Sequence, residues 1–168
     1  MKQIIDQYLL LTDWFLSVLE GIEDKEGYKT LHGEGNSLEW IAGHLVTGRY
    51  RNLLRIGVDV TTYKHLEKFM DQSKPPPNAI AFEKDGTYPT LSASVNQWQM
   101  YSELFLNALE TVDEDTLQEK LPFTLPGGAN TLLDALSFIA LHESYHIGQM
   151  SMIRKFLGYP AMKLGRRS

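Results

Sequence analysis

Apolar positions Ile4, Tyr8, Leu11, Phe15, Val18, Leu19 and Ile22 recur at steps of three and four, the spacing that lines one face of an α-helix. The pattern predicts a first helix over residues 4–22 that stops between Gly21 and Gly27. Gly33, Gly35 and Asn36 mark a loop. Asn36 with Glu39 three residues later reads as a capping box that opens a second helix over residues 37–56, and Gly57 is placed to end it. Residues 58–89 are less regular. A short helix would fit 62–70, whereas Pro75, Pro76 and Pro77 favour an extended connection. A third helix is predicted from Thr90 or Ser92 to Val112, with Val95, Trp98, Tyr101, Leu104, Phe105, Ala108 and Leu109 as its apolar stripe. Pro122, Pro126, Gly127 and Gly128 punctuate the next connection, extended at 121–125. A fourth helix then begins at Asn130 or Thr131 and runs to Leu157, with Gly158 and Pro160 as stop signals.

Four helices of about 20 residues, each roughly 30 Å long, with no competing set of strands, predict an all-α four-helix bundle with a long crossover connection between helices 2 and 3. A chain of 168 residues suits one domain, 1–168, that buries about 70% of its unfolded surface in a single core. Composition narrows the chemistry rather than the fold. The absence of cysteine removes disulfides, thiolate metal sites and a cysteine nucleophile. A net charge of −5 argues against nucleic acid as the main partner. No run reaches the roughly 18 apolar residues of a membrane span. Asp6, Asp13 and Glu20 break the first helix in a way that a secretory signal would not. A soluble cytoplasmic protein with no membrane partner is expected.

The chemistry concentrates in the fourth helix. His142 and His146 lie one turn apart, about 40° from each other at about 100° per residue, so two imidazoles can reach one metal ion. Ala135, Phe138, Ile139, Ile153 and Leu157 fall around them, which predicts that both rings face the core. The segment His142-Glu143-Ser144-Tyr145-His146 also satisfies H-E-x-x-H, in which the glutamate is the base of a zinc peptidase. Such peptidases take a further ligand downstream, and residues 147–168 contain no Asp, Glu or His, so this reading is a minor alternative. The third ligand must come from upstream. His44 shares a helical face with Ile41 and Gly48, flanked by Trp40 and Arg51, and is the candidate; His32 and His65 fall in predicted loops. Three neutral imidazoles would suit Zn²⁺, Ni²⁺, Fe²⁺ or Mn²⁺, with Zn²⁺ or Ni²⁺ preferred. The second ring nitrogens would need acceptors, for which Glu143, Asp134 or backbone carbonyls are candidates.

Trp40-Ile41-Ala42-Gly43-His44 in the second helix, His142-x-x-x-His146 followed by Ile147-Gly148-Gln149, and the closing Phe156-Leu157-Gly158 resemble the DinB-like (YfiT-like) superfamily of metalloenzymes over essentially the whole chain. The resemblance implies a divalent metal on His44, His142 and His146. It also implies reaction classes that include thiol S-transferases using bacillithiol, mycothiol or glutathione, and hydrolase-like or isomerase-like members. The expectation is a metal-dependent transferase or hydrolase in which the metal activates a small-molecule thiol, toward an electrophilic substrate, or water. Arg51 and Arg55 would hold anionic groups, Trp40 and Tyr101 would line a substrate pocket, and Glu143 would serve as a base or as a partner orienting a ligand. Rival readings are a non-catalytic metal-binding or stress-related bundle and a helical interaction domain without metal. A homodimer through exposed helix faces is expected.

Overall fold

The computed structural model describes residues 1–60, 70–71, 78–79 and 87–165, the strand pairs by their backbone pairing alone. Among the described residues the α-helices are α1 (Lys2–Leu19), α2 (Leu38–Arg55), α3 (Leu91–Thr111), α4 (Glu114–Gln118) and α5 (Leu132–Phe156). Strands β1 (Met70–Asp71) and β2 (Asn78–Ala79) pair antiparallel within the connection from α2 to α3. His65, the triple proline and all but the end of the short helix expected over 62–70 lie outside the described residues. Helices α1, α2, α3 and α5 form the expected bundle. Its neighbours are α2 with α3, α3 with α1, α1 with α5 and α5 with α2, so α1 faces α2, and α3 faces α5, across the diagonals. The long connection therefore joins adjacent helices. Among the described residues no helix is long and apolar enough to cross a membrane.

Side-chain caps set where the helices begin. The Ser37 hydroxyl accepts from Trp40 N at 3.3 Å, which makes Ser37, not Asn36, the cap of α2. Ser37 is extended and fully buried, so its hydroxyl meets the otherwise unpaired amides of the first turn. Thr90 caps α3 and Asp113 caps α4 in the same way. Thr131 and Asp134 form a capping box at the start of α5. This employs Asp134 at the helix end and removes it from the candidate partners of the histidines. Gly57 and Gly158 follow α2 and α5 with φ of +88° each, a conformation glycine adopts without steric cost. The short α4, hidden from periodicity by its length, packs on α5. No strand forms over 121–125, where the chain bends at Pro122 and Phe123; an isolated bridge pairs Lys120 with Thr131, and the amides of Leu121 and Leu125 donate to the carbonyls of Asn130 and Ala129.

The core is aromatic where α1 meets α3. Trp98 stacks on Phe15 at 4.2 Å between centroids, and Tyr8 meets Phe105 edge-on at 4.7 Å. Each such fully buried ring contributes about 1.5–3 kcal/mol. Two expected stripes shift. In α3, Leu104 is exposed, and the buried line runs through Leu91, Ser94, Trp98, Tyr101, Ser102, Phe105 and Leu109. In α5, Phe138 and Ile139 are only half-buried. The deepest line passes through Leu136, Ala140, Glu143, Ile147 and Met150, with the histidines on its flank. Periodicity locates an apolar arc, and in α5 the centre of the buried face is held by a charged residue, Glu143, which an apolar stripe does not mark. The chain after α5 returns along α1: Trp14 Nε1 donates to Leu164 O, and Ser17 Oγ accepts from Lys163 N. Buried Arg154 donates to the carbonyls of Val18, Glu20 and Pro160, satisfying acceptors that the end of α1 leaves open.

Candidate metal centre

α2 contributes His44 and its neighbour α5 contributes His142 and His146. His142 Nε2 lies 3.2 Å from His44 Nε2 and 3.1 Å from His146 Nε2. A ring nitrogen carries one proton or one lone pair in the ring plane, so His142 Nε2 cannot make two well-aligned hydrogen bonds to these neighbours. Burial depresses the proton affinity of all three rings: His44 is pushed down to about 3, with repulsion from His146 and His142 adding to burial. His142 is pushed down to about 4 by burial and then by His146. His146 is also lowered by burial, against an opposing contribution from Gln149. Neutral imidazoles with converging nitrogens are donors for a cation. Ligand nitrogens tetrahedral about an ion at about 2.0–2.1 Å would stand roughly 3.4 Å apart, close to the spacing found. The donor set fits a divalent metal, and these are the three residues whose ligand atoms cluster among the described residues.

The surroundings hold each ring. Trp40 stacks on His44 at 4.9 Å and 8°, so packing orients a ring whose buried Nδ1 finds no partner among the described residues. Gln149 Oε1 lies 2.8 Å from His146 Nδ1, and Gln149 Nε2 donates to Tyr145 Oη at 3.0 Å. An acceptor at Nδ1 fixes the proton there and leaves the Nε2 lone pair facing the cluster. Gln149→Leu is therefore expected to weaken metal binding about 10- to 100-fold. Titration of metal-free protein, followed by the emission of Trp40, measures it; unchanged affinity would remove Gln149 from the site.

Glu143 lies in the core and turns its carboxylate to Arg49 rather than to the histidines. It is 1% exposed, and its two oxygens accept from Arg49 Nε at 2.6 Å and Arg49 Nη2 at 2.9 Å. Arg49 is 0% exposed. Its Nη1 donates to Thr12 Oγ1 and Ser102 Oγ and its Nη2 to Tyr8 O, while the guanidinium lies over the rings of Trp98 and Tyr8. Burial raises the Glu143 carboxyl and Arg49 opposes it. A carboxylate committed on both oxygens to a buried guanidinium is not available as the base expected at this position. The peptidase reading needs that base, and here both Glu143 oxygens accept from Arg49. Sequence reasoning weighed Arg51 and Arg55 and missed Arg49. The available signal was an acidic residue in the middle of an apolar helix, which demands a buried cation on a neighbouring helix.

Of the other candidates, Trp40 is at the cluster. Tyr101 is fully buried on α3, its ring 5.9 Å from that of Tyr50. Arg51 and Arg55 share the His44 face, about 10 and 16 Å further along α2. Arg55 donates to Asn52 Oδ1 at 2.8 Å and is pushed down to about 10 by burial and then by Arg51. His32 is exposed in its loop.

A family model described as the DinB superfamily matches residues 7–150. The chain belongs to the DinB superfamily. No curated protein matches it. Membership agrees with the helical bundle and with a cluster of three histidines that could hold a metal ion.

The depressed histidines make metal-free stability depend on pH. Between the folded values near 3–4 and the ordinary value of about 6.5, the unfolded chain binds more protons than the folded one. Stability therefore rises with pH across that window and is lost as pH falls through it. Urea unfolding of chelated protein at pH 5 and pH 7 should give the lower midpoint at pH 5, and a variant with alanine at all three positions should flatten the difference. Equal slopes in the two proteins would contradict burial of these rings.

Proposed function

We propose that this DinB-superfamily protein is a metal-dependent enzyme that activates a low-molecular-weight thiol for S-transfer to an electrophile, or water for hydrolysis. The observation that carries the reading is the convergence of three neutral Nε2 atoms with His142 only half-buried. Among the described residues no fourth His, Asp or Glu joins them. A centre with three protein nitrogens and an open side is the arrangement of catalytic rather than closed structural sites. A divalent ion held there supplies Lewis acidity, lowering the pKa of a thiol or water at its open side. Zn²⁺ or Ni²⁺ suits the all-imidazole donor set best, with Fe²⁺ or Mn²⁺ as alternatives.

The remaining roles belong to the chain's own side chains. His44, His142 and His146 hold the ion, Trp40 and Gln149 keep two of the rings in place, and the Arg49–Glu143 pair locks α2 against α5 so that the ligands meet. Arg51 and Arg55, on the same face as His44, receive the carboxylates of an anionic thiol or substrate through charge-assisted hydrogen bonds.

Thiol consumption with a panel of electrophiles tests the reading on metal-loaded, chelated and His142→Ala protein. The expected result is conjugation that falls at least about 100-fold in the latter two, the scale of losing a well-placed catalytic group. Product formed without thiol would favour the hydrolytic branch. Activity indifferent to chelation would overturn the mechanism, and metal binding that raises the melting temperature without turnover would leave a structural tie between α2 and α5.

A further inference from the structure

Gly48 is a glycine that neither backbone conformation nor packing explains. It lies within α2, one turn beyond His44 and about 40° from it around the helix, and is half-buried. A glycine inside a helix lowers the folding equilibrium roughly fivefold relative to alanine. Other glycines of the chain have a local reason: Gly57 and Gly158 take φ of +88°, and a Cβ on Gly27 would stand 2.9 Å from Glu39 Oε2. Gly48 keeps ordinary helical geometry, and a Cβ there would meet nothing within 4 Å among the described residues. Gly148 is equally open, but it is exposed on α5. At Gly48 the unfilled space lies on the face that carries a metal ligand.

Neighbouring residues fix where that space is. Arg49 follows Gly48, Glu143 follows His142, and the two are joined at 2.6 and 2.9 Å. The pair therefore holds α2 and α5 together at the level of Gly48 and His142, and His142 is the half-buried ligand on the open side of the centre. Arg51 comes next on this side of α2, within about 60° of Gly48 and about 10 Å along the axis from His44. A ligand, an unfilled space and a cation thus follow one another along α2 at His44, Gly48 and Arg51. A molecule bound at the open side of the metal and held by Arg51 passes over α2 at Gly48. A side chain there would stand in its path, whereas glycine lets it lie against the helix backbone.

We propose that the space against Gly48 is a substrate subsite, taking the unbranched segment that joins a metal-bound sulfur to a carboxylate on Arg51, so that Gly48 sets how bulky this segment can be. The inference rests on the proposed thiol-activating centre and narrows its substrate to a linear thiol that carries a carboxylate at its far end.

Co²⁺-loaded protein tests it, because the sulfur-to-cobalt absorption reports thiolate bound at the metal. Two probes are titrated: mercaptoacetate, too short to reach Arg51 from the centre, and ω-mercaptooctanoate, which spans the interval. The parent is expected to bind the long thiol at least about 10-fold more tightly, the scale of one hydrogen bond to a charged group. Gly48→Leu should abolish that advantage and leave the affinities for mercaptoacetate and Co²⁺ unchanged. Gly48→Ala should keep part of the advantage while raising the urea midpoint of metal-free protein, since its methyl group enters open space. Arg51→Gln should abolish the advantage as Gly48→Leu does. Equal binding of the long thiol by the parent and Gly48→Leu overturns the subsite and leaves the thiol-binding centre standing. No sulfur absorption with either thiol in the Co²⁺-loaded parent overturns both. A Gly48→Ala protein less stable than the parent, or a Gly48→Leu protein that no longer binds Co²⁺, overturns the inference by making the glycine a requirement of the fold. An advantage that survives in Arg51→Gln overturns the place given to the carboxylate.

Discussion

Glu143→Ala lowers the stability of this protein by about 3–5 kcal/mol, the cost of stranding one member of a buried ion pair. The expectation rests on Arg49, which is fully buried and whose only anionic partner among the described residues is Glu143. Hydroxyl and carbonyl contacts from Thr12, Ser102 and Tyr8 satisfy its remaining N–H groups but do not neutralise it. Native domains have about 5–15 kcal/mol in total, so the variant keeps a small margin at best. The pair joins α2 to α5, while its hydrogen-bonding neighbours add α1 and α3, so the defect reaches all four long helices. Replacing both partners with methionine removes the two charges together and should recover much of the loss, because an apolar pair of similar size is often neutral or stabilising. Urea midpoints of the single and double variants measure the contrast. A Glu143→Ala protein within 1 kcal/mol of the parent would show that Arg49 reaches water when left alone.

His142→Ala should reduce metal affinity by more than about 100-fold, beyond the 10- to 100-fold expected for a partner that only orients a ligand. His142 is the common neighbour of His44 and His146, so its removal leaves two nitrogens instead of three. It is also half-buried, and its loss leaves the core in place. Metal-free His142→Ala is therefore expected to be as stable as the metal-free parent. Metal content of protein purified without a histidine tag should be near one equivalent for the parent and a small fraction for the variant. His32→Ala, altered in an exposed loop, should leave the content unchanged. A parent that binds no more metal than His142→Ala would refute the centre. The two predictions separate cleanly: Glu143→Ala acts on the fold and through it on the site, whereas His142→Ala acts on the site and spares the fold.

The sequence by itself determined the four long helices, the stops at Gly57 and Gly158, the all-α bundle and the trio of His44, His142 and His146. The helices, their stops and the one-turn spacing of His142 and His146 follow from local rules that need no knowledge of what lies opposite, and His44 from its place in the second helix and the resemblance to a known family. The tertiary structure decided what periodicity treats as noise. An acid within an apolar helix is read as outward-facing until a neighbouring helix supplies a cation. Only the packing of α2 on α5 made Glu143 the centre of its face rather than the edge, with Arg49 as its partner. The same packing decided that Tyr101 is core, that Trp40 lies on His44 and that Gln149 holds His146. A side chain's partner depends on distances between residues far apart in the chain, and those distances exist only once the helices have packed.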